Sequence, residues 1–445
     1  MSNIEIADIR SVETGKIYIP TAWHFDRIKN IGSVNGRVGW KALKASEYVE
    51  EGYFFLSTPN IKSRDIDYVN VNFITRERYF ESPEIMLHEK DILLTKDGST
   101  LGTVNIVQGL PSAGTVNSSI AVLRFKKGYV NKYFFWLIKS DFVQNVIQLK
   151  KDGMGVPHLF QKDINNFLLL IPPTKVQERI AEYLDRKTLA IETKISLLEA
   201  KISHYKDLKR SLINEAVCKG LNKNVPLKDS GIEWIGEIPK HWQIKRFKEV
   251  LKKNDGGVWG EFNDDGTIVI RSTEINLDGS WNFENVAKIL LTKKEIKNSL
   301  LKNGDLVITK SSGSELHIGK TAIVNKEIER QKCCYSNFMQ RLRADKNQVP
   351  KFLFYCLNSP LFRFQYNYFS TSTTGLANLN ADLINQLTII IPPIKEQTAI
   401  AEHLDKKTTT IDAIVANIKL QIDCLKELRK TLINDVVTGK LKVTE

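Results

Sequence analysis

The chain has 445 residues, of which 42% are hydrophobic and 26% are charged, and its formal net charge is +13. This length and composition allow two or three packed domains and exclude an intrinsically disordered protein. The basic excess is spread along the chain and favours a polyanionic partner, nucleic acid above all, although a mildly basic solvated surface explains it equally well.

The N-terminal stretch, MSNIEIADIRSVETGKIYIP, has no apolar core of the signal-peptide type. The five cysteines include no Cys-x-x-Cys spacing, and their odd number fits a reducing compartment. The longest apolar runs, FLLLIPP and LTIIIPP, are far too short to cross a bilayer. We therefore expect a cytoplasmic protein that does not enter a membrane.

Residues 1–170 are predicted to form a globular domain of mixed α and β structure. Short β-rich runs such as DILLTK alternate with turns rich in Gly, Ser and Asn and with a few amphipathic helices. Polar loops such as STPNIKSRD carry the side-chain types that contact bases and phosphates. The candidate DNA-binding residues of this domain are Lys62, Arg64, Lys96, Ser99 and Asn117. For each of them, an exposed loop residue without a binding role is the alternative.

Residues 171–222 are predicted to form a long helix. It opens with IPPTKVQERIAEYLD, and proline is compatible with the start of a helix but not with its interior. Apolar or tolerated positions then recur at steps of four and three, the 3.5-residue period of a coiled-coil seam. These positions are Leu184, Thr188, Ile191, Ile195, Leu198, Ile202 and Tyr205. Gly220 lies where a helix C-cap is expected.

Residues 223–390 are predicted to form a second domain that resembles the first. DLVITK corresponds to DILLTK of the first domain, VPKFLFYCLNS to VNKYFFWLIKS, and IPKHW to IPTAW. The loops differ between the two domains, whereas the strand and helix segments match. The candidate DNA-binding residues here are Arg271, Asn276, Lys310, Ser311, Ser312 and Asn378, with the same alternative of plain loop residues.

The segment SSGSELHIGKT at 311–321 looks like a phosphate-binding loop but fails its spacing. Five residues separate Gly313 from Gly319, whereas the motif requires four. The equivalent loop of the first domain, KDGSTLGTVN, has no lysine after Gly102. None of the seven histidines lies in a zinc-binding spacing, and no Gly-x-Ser-x-Gly elbow is present. We therefore expect no catalytic, cofactor-binding or metal-binding residues in this chain.

Residues 391–445 repeat the long helix. Residues 171–221 and 391–441 are identical at 21 of 51 aligned positions, which chance does not produce. The second seam steps identically and consists of Leu404, Thr408, Ile411, Val415, Ile418, Ile422 and Leu425. A helix of about 45 residues is about 65–70 Å long and is not buried by one small domain. We expect the two seams to pack on each other; packing of each on its own domain is the alternative.

These motifs together resemble the specificity subunit of type I restriction-modification enzymes. The resemblance rests on the two IPP-x-K-x-Q…IA-x-x-LD helix openings, on PLKDSGIEWIGEIPKHW at 226–242 and on the Gly-x-x-x-Leu…Ile-Asn…IPP segments before each helix. It covers essentially the whole chain, and the combination is specific although each piece alone is weak. One departure is Val176, where the second copy has the family's Glu396.

The resemblance implies a mixed α/β fold with an internal pseudo-twofold repeat. Two target-recognition domains would each read one half of a split, asymmetric site in double-stranded DNA. The two long helices would form an antiparallel coiled coil that sets the spacer and docks two methyltransferase subunits, which motor-nuclease subunits join. S-adenosylmethionine, ATP and Mg²⁺ would belong to those partners, and this chain would have no catalysis of its own.

Two other functions remain open from the sequence. A self-sufficient DNA-modifying enzyme would require a cofactor or metal motif in this chain. A coiled-coil scaffold for proteins alone would not require two domains whose folds match while their loops diverge.

Overall fold

The protein divides into two compact units. The computed structural model describes residues 4–6, 9–12, 17–37, 43–150, 157–369 and 377–443. The first unit comprises residues 1–198 and 419–445, and the second comprises residues 199–418. We call the globular domain before the first long helix the first head, and the domain between the two long helices the second head. Each unit therefore contains one head, the first half of one long helix and the second half of the other.

A four-stranded antiparallel sheet forms the centre of the first head, in the order β5-β11-β8-β9. The strands of this head are β1 (Ile4–Ile6), β2 (Ile9–Val12), β3 (Ile17–Pro20), β4 (His24–Arg27), β5 (Gly32–Asn35), β6 (Tyr53–Leu56), β7 (Asn72–Ile74), β8 (Ile92–Thr95), β9 (Val104–Ile106), β10 (Gly114–Val116), β11 (Ile120–Phe125) and β12 (Leu168–Ile171). Both faces of the sheet are covered: Ile92 and Leu94 face one hydrophobic cluster, and Leu93 faces another. Since successive side chains point to opposite faces, three consecutive apolar residues, Ile92 to Leu94, are needed in β8.

The helices of this head are α1 (Ile28–Ile31), α2 (Arg76–Phe80), α3 (Asn131–Lys139), α4 (Asp141–Lys150), α5 (Gln161–Asn165) and the long α6 (Thr174–Lys219). Residues of α1, α3, α4, α5 and α6 belong to the cluster that covers one face of the sheet, whereas Tyr79 of α2 belongs to a separate cluster with Phe55 and Ile74. All six residues from Tyr133 to Ile138 in α3 are buried, as the all-round apolar sequence YFFWLI requires. The long helix begins at Thr174 because Ile171 belongs to β12 and Pro172–Pro173 end that strand.

The second head repeats this arrangement with its own loops. Its strands are β13 (Leu227–Asp229), β14 (Glu237–Pro239), β15 (Gln243–Arg246), β16 (Leu251–Gly256), β17 (Phe262–Ile270), β18 (Ala287–Ile289), β19 (Leu306–Thr309), β20 (Ser311–Ser312), β21 (Thr321–Ile323), β22 (Cys334–Tyr335), β23 (Met339–Ala344), β24 (Ala377–Asn378) and β25 (Thr388–Ile391). Its short helices are α7 (Lys293–Ser299), α8 (Lys326–Arg330), α9 (Pro350–Leu357), α10 (Pro360–Phe369) and α11 (Ala381–Gln386), followed by the long α12 (Ile394–Val437) and by β26 (Leu441–Val443).

The central sheets of the two heads have the same strand order and register. The second head orders its strands β16-β23-β19-β21, matching β5-β11-β8-β9. Ile120 pairs with Thr95 in the first head as Met339 pairs with Thr309 in the second. This common register assigns each residue near the sheets an equivalent in the other head, and the repeat predicted from the sequence is confirmed.

One buried ion pair recurs in both sheets. The guanidinium of Arg124 donates two hydrogen bonds of 2.8 Å to the carboxylate of Asp91. At the equivalent place, Arg343 donates two of 2.6 and 2.7 Å to Asp305, whose side chain is only 1% exposed. Bidentate pairs of this kind are short and geometrically specific. Sequence reasoning did not find them because the partners lie 33 and 38 residues apart.

We expect Asp305→Ala to destabilise the second head by about 3 kcal/mol, because it leaves the charge of Arg343 without its partner. The melting temperature should fall by roughly 6–12 °C, since about 1 kcal/mol corresponds to about 2–4 °C in a domain of this size. The matched control is Asp207→Ala, which removes an exposed ion pair with Arg210 and should change stability by less than about 1 kcal/mol. Equal melting temperatures for the two variants would contradict a stabilising role for the buried pair.

The two long helices run antiparallel within each unit. In the first unit, Leu184 and Val436 share one hydrophobic cluster, and Arg429 forms an ion pair of 3.0 Å with Glu192. Residue numbers rise from Leu184 to Glu192 along α6 while those of their partners fall from Val436 to Arg429 along α12, so the two helices run in opposite directions.

The second unit shows the same direction. Val217 and Leu404 share a hydrophobic cluster, and Lys209 forms an ion pair of 2.7 Å with Asp412. The helices therefore pack on each other, as expected, and their ends also pack on the heads, so the alternative packing is present as well.

The seam positions are shielded from solvent. Leu184 and Leu404 are fully buried, and the intervening positions are buried or half-buried. Buried in addition to the end positions are Ile195, Ile411, Ile418 and Ile422, whereas Ile191, Leu198, Ile202 and Val415 are half-buried.

A buried glutamine explains why the opening motif of each helix is repeated. Gln177 accepts a hydrogen bond of 3.0 Å from the amide of Val130 and donates one of 2.8 Å to the carbonyl of Pro172. Gln397 makes the same two bonds, to Val349 and to Pro392. Each glutamine thus ties the first turn of a long helix to the loop before the buried helix of its head.

Each long helix ends at a glycine that meets a tryptophan. Gly220 and Gly439 have φ angles of +76° and +74°, a left-handed conformation in which a side chain is strained. A β-carbon at Gly220 would lie 3.0 Å from the ring of Trp242, and one at Gly439 would lie 2.6 Å from the ring of Pro20 and 3.2 Å from that of Trp23. The C-cap predicted at Gly220 is confirmed, and residues of the IPTAW and IPKHW segments make the close approach at both glycines.

Val176 stands where the second copy has Glu396, and a second difference between the two units accompanies it. In the second unit, Glu396 accepts hydrogen bonds from the rings of His241, at 2.7 Å, and Trp242, at 3.0 Å. In the first unit the residue before the tryptophan is Ala22, and Val176 packs against the hydrophobic cluster there. The carboxylate and the imidazole are therefore present together in one unit and absent together in the other.

Candidate nucleic-acid interface

A lysine follows one inner strand of each four-stranded sheet. Lys96 comes directly after β8, and Lys310 comes directly after β19. The amide of Lys96 donates to the carbonyl of Ser119, and its carbonyl accepts from the amide of Leu159, both at 2.8 Å. Lys310 makes the equivalent bonds to Phe338 and Leu379, at 3.0 and 2.7 Å. The two lysines are thus held by the same pair of backbone hydrogen bonds, an arrangement that we call the shared frame.

A glycine lies beneath each lysine side chain. A β-carbon at Gly36 would lie 3.9 Å from Cε of Lys96, and one at Gly256 would lie 3.7 Å from Nζ of Lys310. Nζ of Lys96 also forms an ion pair of 3.1 Å with Asp97. No ion pair of Lys310 occurs among the described residues, so this cation has no carboxylate neutralising it there.

The residue after each lysine forms a β-bridge with a distant segment. Asp97 pairs with His158, and the carboxylate of Asp97 bonds to Nδ1 of that histidine. Ser311 pairs with Asn378, and its hydroxyl donates to Oδ1 of that asparagine at 2.9 Å. The structure therefore brings together three residues predicted in the second head, Lys310, Ser311 and Asn378.

Three other predicted residues flank these lysines. Ser99 is exposed in the turn after Asp97, and the hydroxyl of Ser312 accepts from the amide of Ser314 at 3.2 Å. The side chain of Asn117 is half-buried and accepts from the amide of Ser119 at 3.1 Å, so it shapes the turn whose carbonyl holds Lys96.

An exposed phenylalanine lies in a segment bonded to each lysine, and sequence reasoning missed both of them. Phe338, whose carbonyl accepts from Lys310, is 51% exposed. Phe160 is 43% exposed, and its ring and that of His158 pack in a T-shaped arrangement with 4.4 Å between ring centroids. Exposed aromatic rings provide surfaces on which bases stack. Neither ring lies in a segment that contained a candidate residue, so the sequence carried no direct signal for them.

Lys62 and Arg64 are engaged by carboxylates instead of being free. Lys62 pairs with Asp67 at 2.8 Å, and Arg64 lies 3.7 Å from Glu192 on α6. Beside them, Lys139 donates to the carbonyl of Ser63 at 2.5 Å, and burial lowers the pKa of Lys139 to about 8. This loop packs against the long helix, and the structure does not group Lys62 or Arg64 with Lys96.

Arg271 and Asn276 also have partners within the second head. The guanidinium of Arg271 donates to Glu274 at 2.7 Å and to the carbonyl of Asn285 at 2.8 Å. The side-chain amide of Asn276 donates to the hydroxyl of Ser280 at 2.9 Å, which closes a turn. Both residues stabilise local loop geometry in this structure.

The lysine of the phosphate-loop-like segment is part of the core. Lys320 is 4% exposed and donates to the carbonyls of Ser272 and Ile275 at 2.7 and 2.6 Å. Burial lowers the pKa of this lysine. Its ammonium group links two loops of the head and does not face a phosphate.

The described residues offer no metal site and no reactive cysteine pair. Among the residues that the structure describes, no cluster of three His, Cys, Asp or Glu side chains could hold a metal ion. All five cysteines are free thiols, and Cys424 is the exposed one. Burial raises the pKa of Cys218 and of Cys333 to about 11, which keeps both un-ionised. No helix in the described residues is long and apolar enough to cross a membrane.

The arrangement defines a class of protein: two heads with one shared frame and different polar loops, connected by paired helices. The family model for the type I restriction modification DNA specificity domain matches residues 21–200 and again residues 239–423. The chain belongs to this family, as the repeated helix openings predicted.

Curated relatives match along nearly the whole chain. The MjaVIII specificity subunit of Methanocaldococcus jannaschii is 25% identical over 435 residues, covering 96% of this chain and 94% of its own. The EcoKI specificity subunit of Escherichia coli is 20% identical and covers 95% of this chain and 90% of its own.

Solved structures share the fold. A chain from a type I R-M system, solved to explain complex assembly and conformational transition, aligns with a TM-score of 0.71 at 16% identity, covering 95% of this chain and 99% of its own. The HsdS subunit from Thermoanaerobacter tengcongensis aligns with a TM-score of 0.53 at 16% identity, covering 96% of this chain and 100% of its own.

Proposed function

We propose that this chain is the DNA-recognition subunit of a type I restriction-modification complex. Each head reads one half of a bipartite, asymmetric site in double-stranded DNA. One observation carries the proposal: Lys96 and Lys310 occupy the same backbone frame, while the polar side chains around them differ between the heads. A shared cation suits the phosphates, which every DNA sequence presents, and divergent donors and acceptors suit different bases.

The paired helices are proposed to set the spacer and to dock two methyltransferase subunits. Each long helix begins in one unit and ends in the other, so both connect the two heads. Four leucines on the outer helix surface of the first unit are 55–67% exposed, which supports a docking role. They are Leu189, Leu197, Leu420 and Leu428.

The reactions are proposed to belong to the partner subunits. Methyltransferase subunits bring S-adenosylmethionine, and motor-nuclease subunits bring ATP and Mg²⁺, so this chain requires no cofactor of its own. We place the assembled complex in the cytoplasm, where its DNA substrate is found.

The decisive experiment is a gel shift combined with sequencing of methylated adenines. The chain is expressed with its methyltransferase subunits, and methylated positions are mapped on genomic DNA. We expect methylation at one two-part sequence with a fixed spacer, and weak or absent site-specific binding by the methyltransferase subunits alone. Methylation without a two-part sequence would contradict the proposed function, and so would equal specificity without this chain.

Removal of the shared lysine should weaken DNA binding in a recognisable way. If Lys310 contacts a phosphate, Lys310→Ala weakens binding to all sequences alike and reduces the slope of log affinity against log salt by about one. Lys96→Ala should have a smaller effect because Asp97 already neutralises part of its charge. If either lysine contacts a base, discrimination at one position should fall instead by about 1–3 kcal/mol.

The matched controls are Lys127→Ala and Lys346→Ala. Both residues are exposed in equivalent turns, at the end of β11 and of β23 that is remote from Lys96 and Lys310. Their salt slopes should equal that of the unmodified complex. Unchanged affinity in both Lys96→Ala and Lys310→Ala would exclude these loops from the interface.

A further inference from the structure

The two heads present different hydrogen-bonding groups at one equivalent point. In each head the lysine carbonyl accepts from the residue that follows the bridged partner, Leu159 or Leu379. The bridged pairs, Asp97–His158 and Ser311–Asn378, therefore occupy the same place on the same frame. Their chemistry differs completely, one pair being ionisable and the other neutral.

In the first head the pair presents an acceptor. The carboxylate of Asp97 bonds to Nδ1 of His158, and a carboxylate partner holds the proton of a neutral imidazole on that nitrogen. Nε2 is then an acceptor, and no hydrogen bond to it occurs within the described part of the chain. The side chain of His158 is 34% exposed, so a ligand can reach this atom.

In the second head the pair presents donors. The hydroxyl of Ser311 donates to Oδ1 of Asn378 at 2.9 Å, which fixes the orientation of the amide. The Nδ2 group of this exposed asparagine has two hydrogens and makes no bond to any other described residue. One of the two lone pairs of Oδ1 is used by Ser311, whereas both hydrogens of Nδ2 remain for a ligand.

We propose that these bridged pairs are specificity-determining residues, and that each reads one base in the major groove. Nε2 of His158 accepts from the exocyclic amino group of adenine or cytosine. Nδ2 of Asn378 donates to the carbonyl oxygen of guanine or thymine. The proposal rests on the proposed function and adds to it the residues and the class of base that each head selects at this position.

Other polar side chains near the loops are less suited to this role. Lys62, Arg64 and Arg271 already bond to carboxylates, and Asn276 closes a turn. The lysine adjoining each pair is common to both heads, so it cannot distinguish their half-sites. The bridged pairs combine exposure, a fixed orientation and a difference between the heads.

The test transplants each pair into the other head. The double variant Asp97→Ser with His158→Asn gives the first head the chemistry of the second, and Ser311→Asp with Asn378→His does the reverse. Each is assembled with methyltransferase subunits and used to select DNA from a library randomised over the site. We expect preference at one position of one half-site to change from an amino-bearing to a carbonyl-bearing base, or the reverse, by roughly tenfold or more.

The controls separate this inference from the proposed function. Lys127→Asn and Lys346→Asn alter equivalent exposed turns away from the pairs and should leave both half-sites unchanged. If the unmodified complex selects no two-part site, the proposed function fails. If it selects one and the swapped variants keep every base preference, only the present inference is overturned.

Truncation covers the case in which a swapped head does not fold. His158→Ala and Asn378→Ala remove only partly or fully exposed atoms, and their melting temperatures should stay close to that of the unmodified chain. Each should relax selection at one position by roughly tenfold. Unchanged selection in a folded truncation variant would overturn the inference, as would a change in the half-site of the other head.

Discussion

Exchanging the first head for that of another family member should replace one half of the recognised sequence and leave the other half intact. Binding to the original site should fall by roughly a thousandfold or more, the usual difference between specific and non-specific binding. The expectation follows from the proposal that base contacts come from the loops of each head, which are built on its own sheet. Mapping methylated adenines before and after the exchange measures the result.

The structure dictates where the exchange must be joined. Strand β4 pairs with β12 from His24–Ile171 to Arg27–Leu168, so a junction before residue 168 would divide one ladder between two parents. Strand β1 also pairs with β26, whose partners for Ile4 and Ile6 are Val443 and Leu441. The donor should therefore supply everything up to Pro172 together with the residues after Gly439.

The reciprocal exchange of the second head is the matched control. Strand β15 pairs with β25 up to Ile391, so its junction lies at the equivalent place. This exchange should change only the other half of the site. If either exchange altered both halves, or neither, the two heads would not be independent readers.

Lengthening both long helices by four residues should increase the preferred spacer by one or two base pairs. Four residues add about 6 Å and rotate the helix face by only about 40°, so the seam largely survives. B-DNA rises about 3.4 Å and turns about 35° per base pair. The added length thus corresponds to nearly two base pairs and the added rotation to about one, while both half-sites should keep their sequence.

The ion pairs between the helices identify the matching insertion points. Counting six residues back from Lys209 along α6 gives Ser203, and six forward from Asp412 along α12 gives Ile418. The control inserts four residues at Ser203 alone, which shifts one seam against the other and should abolish binding or folding. If the doubly lengthened, active protein kept the original spacer, the helices would not set the distance.

The sequence was sufficient for the repeated architecture because that information is local. The 3.5-residue period fixes which side of each helix is apolar, and the Pro-Pro openings and terminal glycines fix where it begins and ends. Two similar heads followed from similar strand and helix segments. Lys96, Lys310, Ser311 and Asn378 could be named as candidates because polar residues directly after apolar strands, or in polar loops, stand out in the sequence.

Pairings between distant segments could be decided only by the tertiary structure. The sequence does not show that Asp97 meets His158, 61 residues later, or that Glu396 meets His241, 155 residues earlier. The local sequence also does not reveal that Lys320 is buried and donates to two backbone carbonyls, because a lysine in a polar segment usually remains exposed to water.

The sequence by itself determined the family, the two heads and the two apolar seams. The tertiary structure decided how these parts are used: each compact unit combines halves of both helices, Lys62 and Arg64 are held by carboxylates, and the bridged pairs share one frame. The reason is physical. Periodicity is set by neighbours along the chain, whereas burial, ion pairing and hydrogen-bond partners depend on which distant segments the folded core brings together.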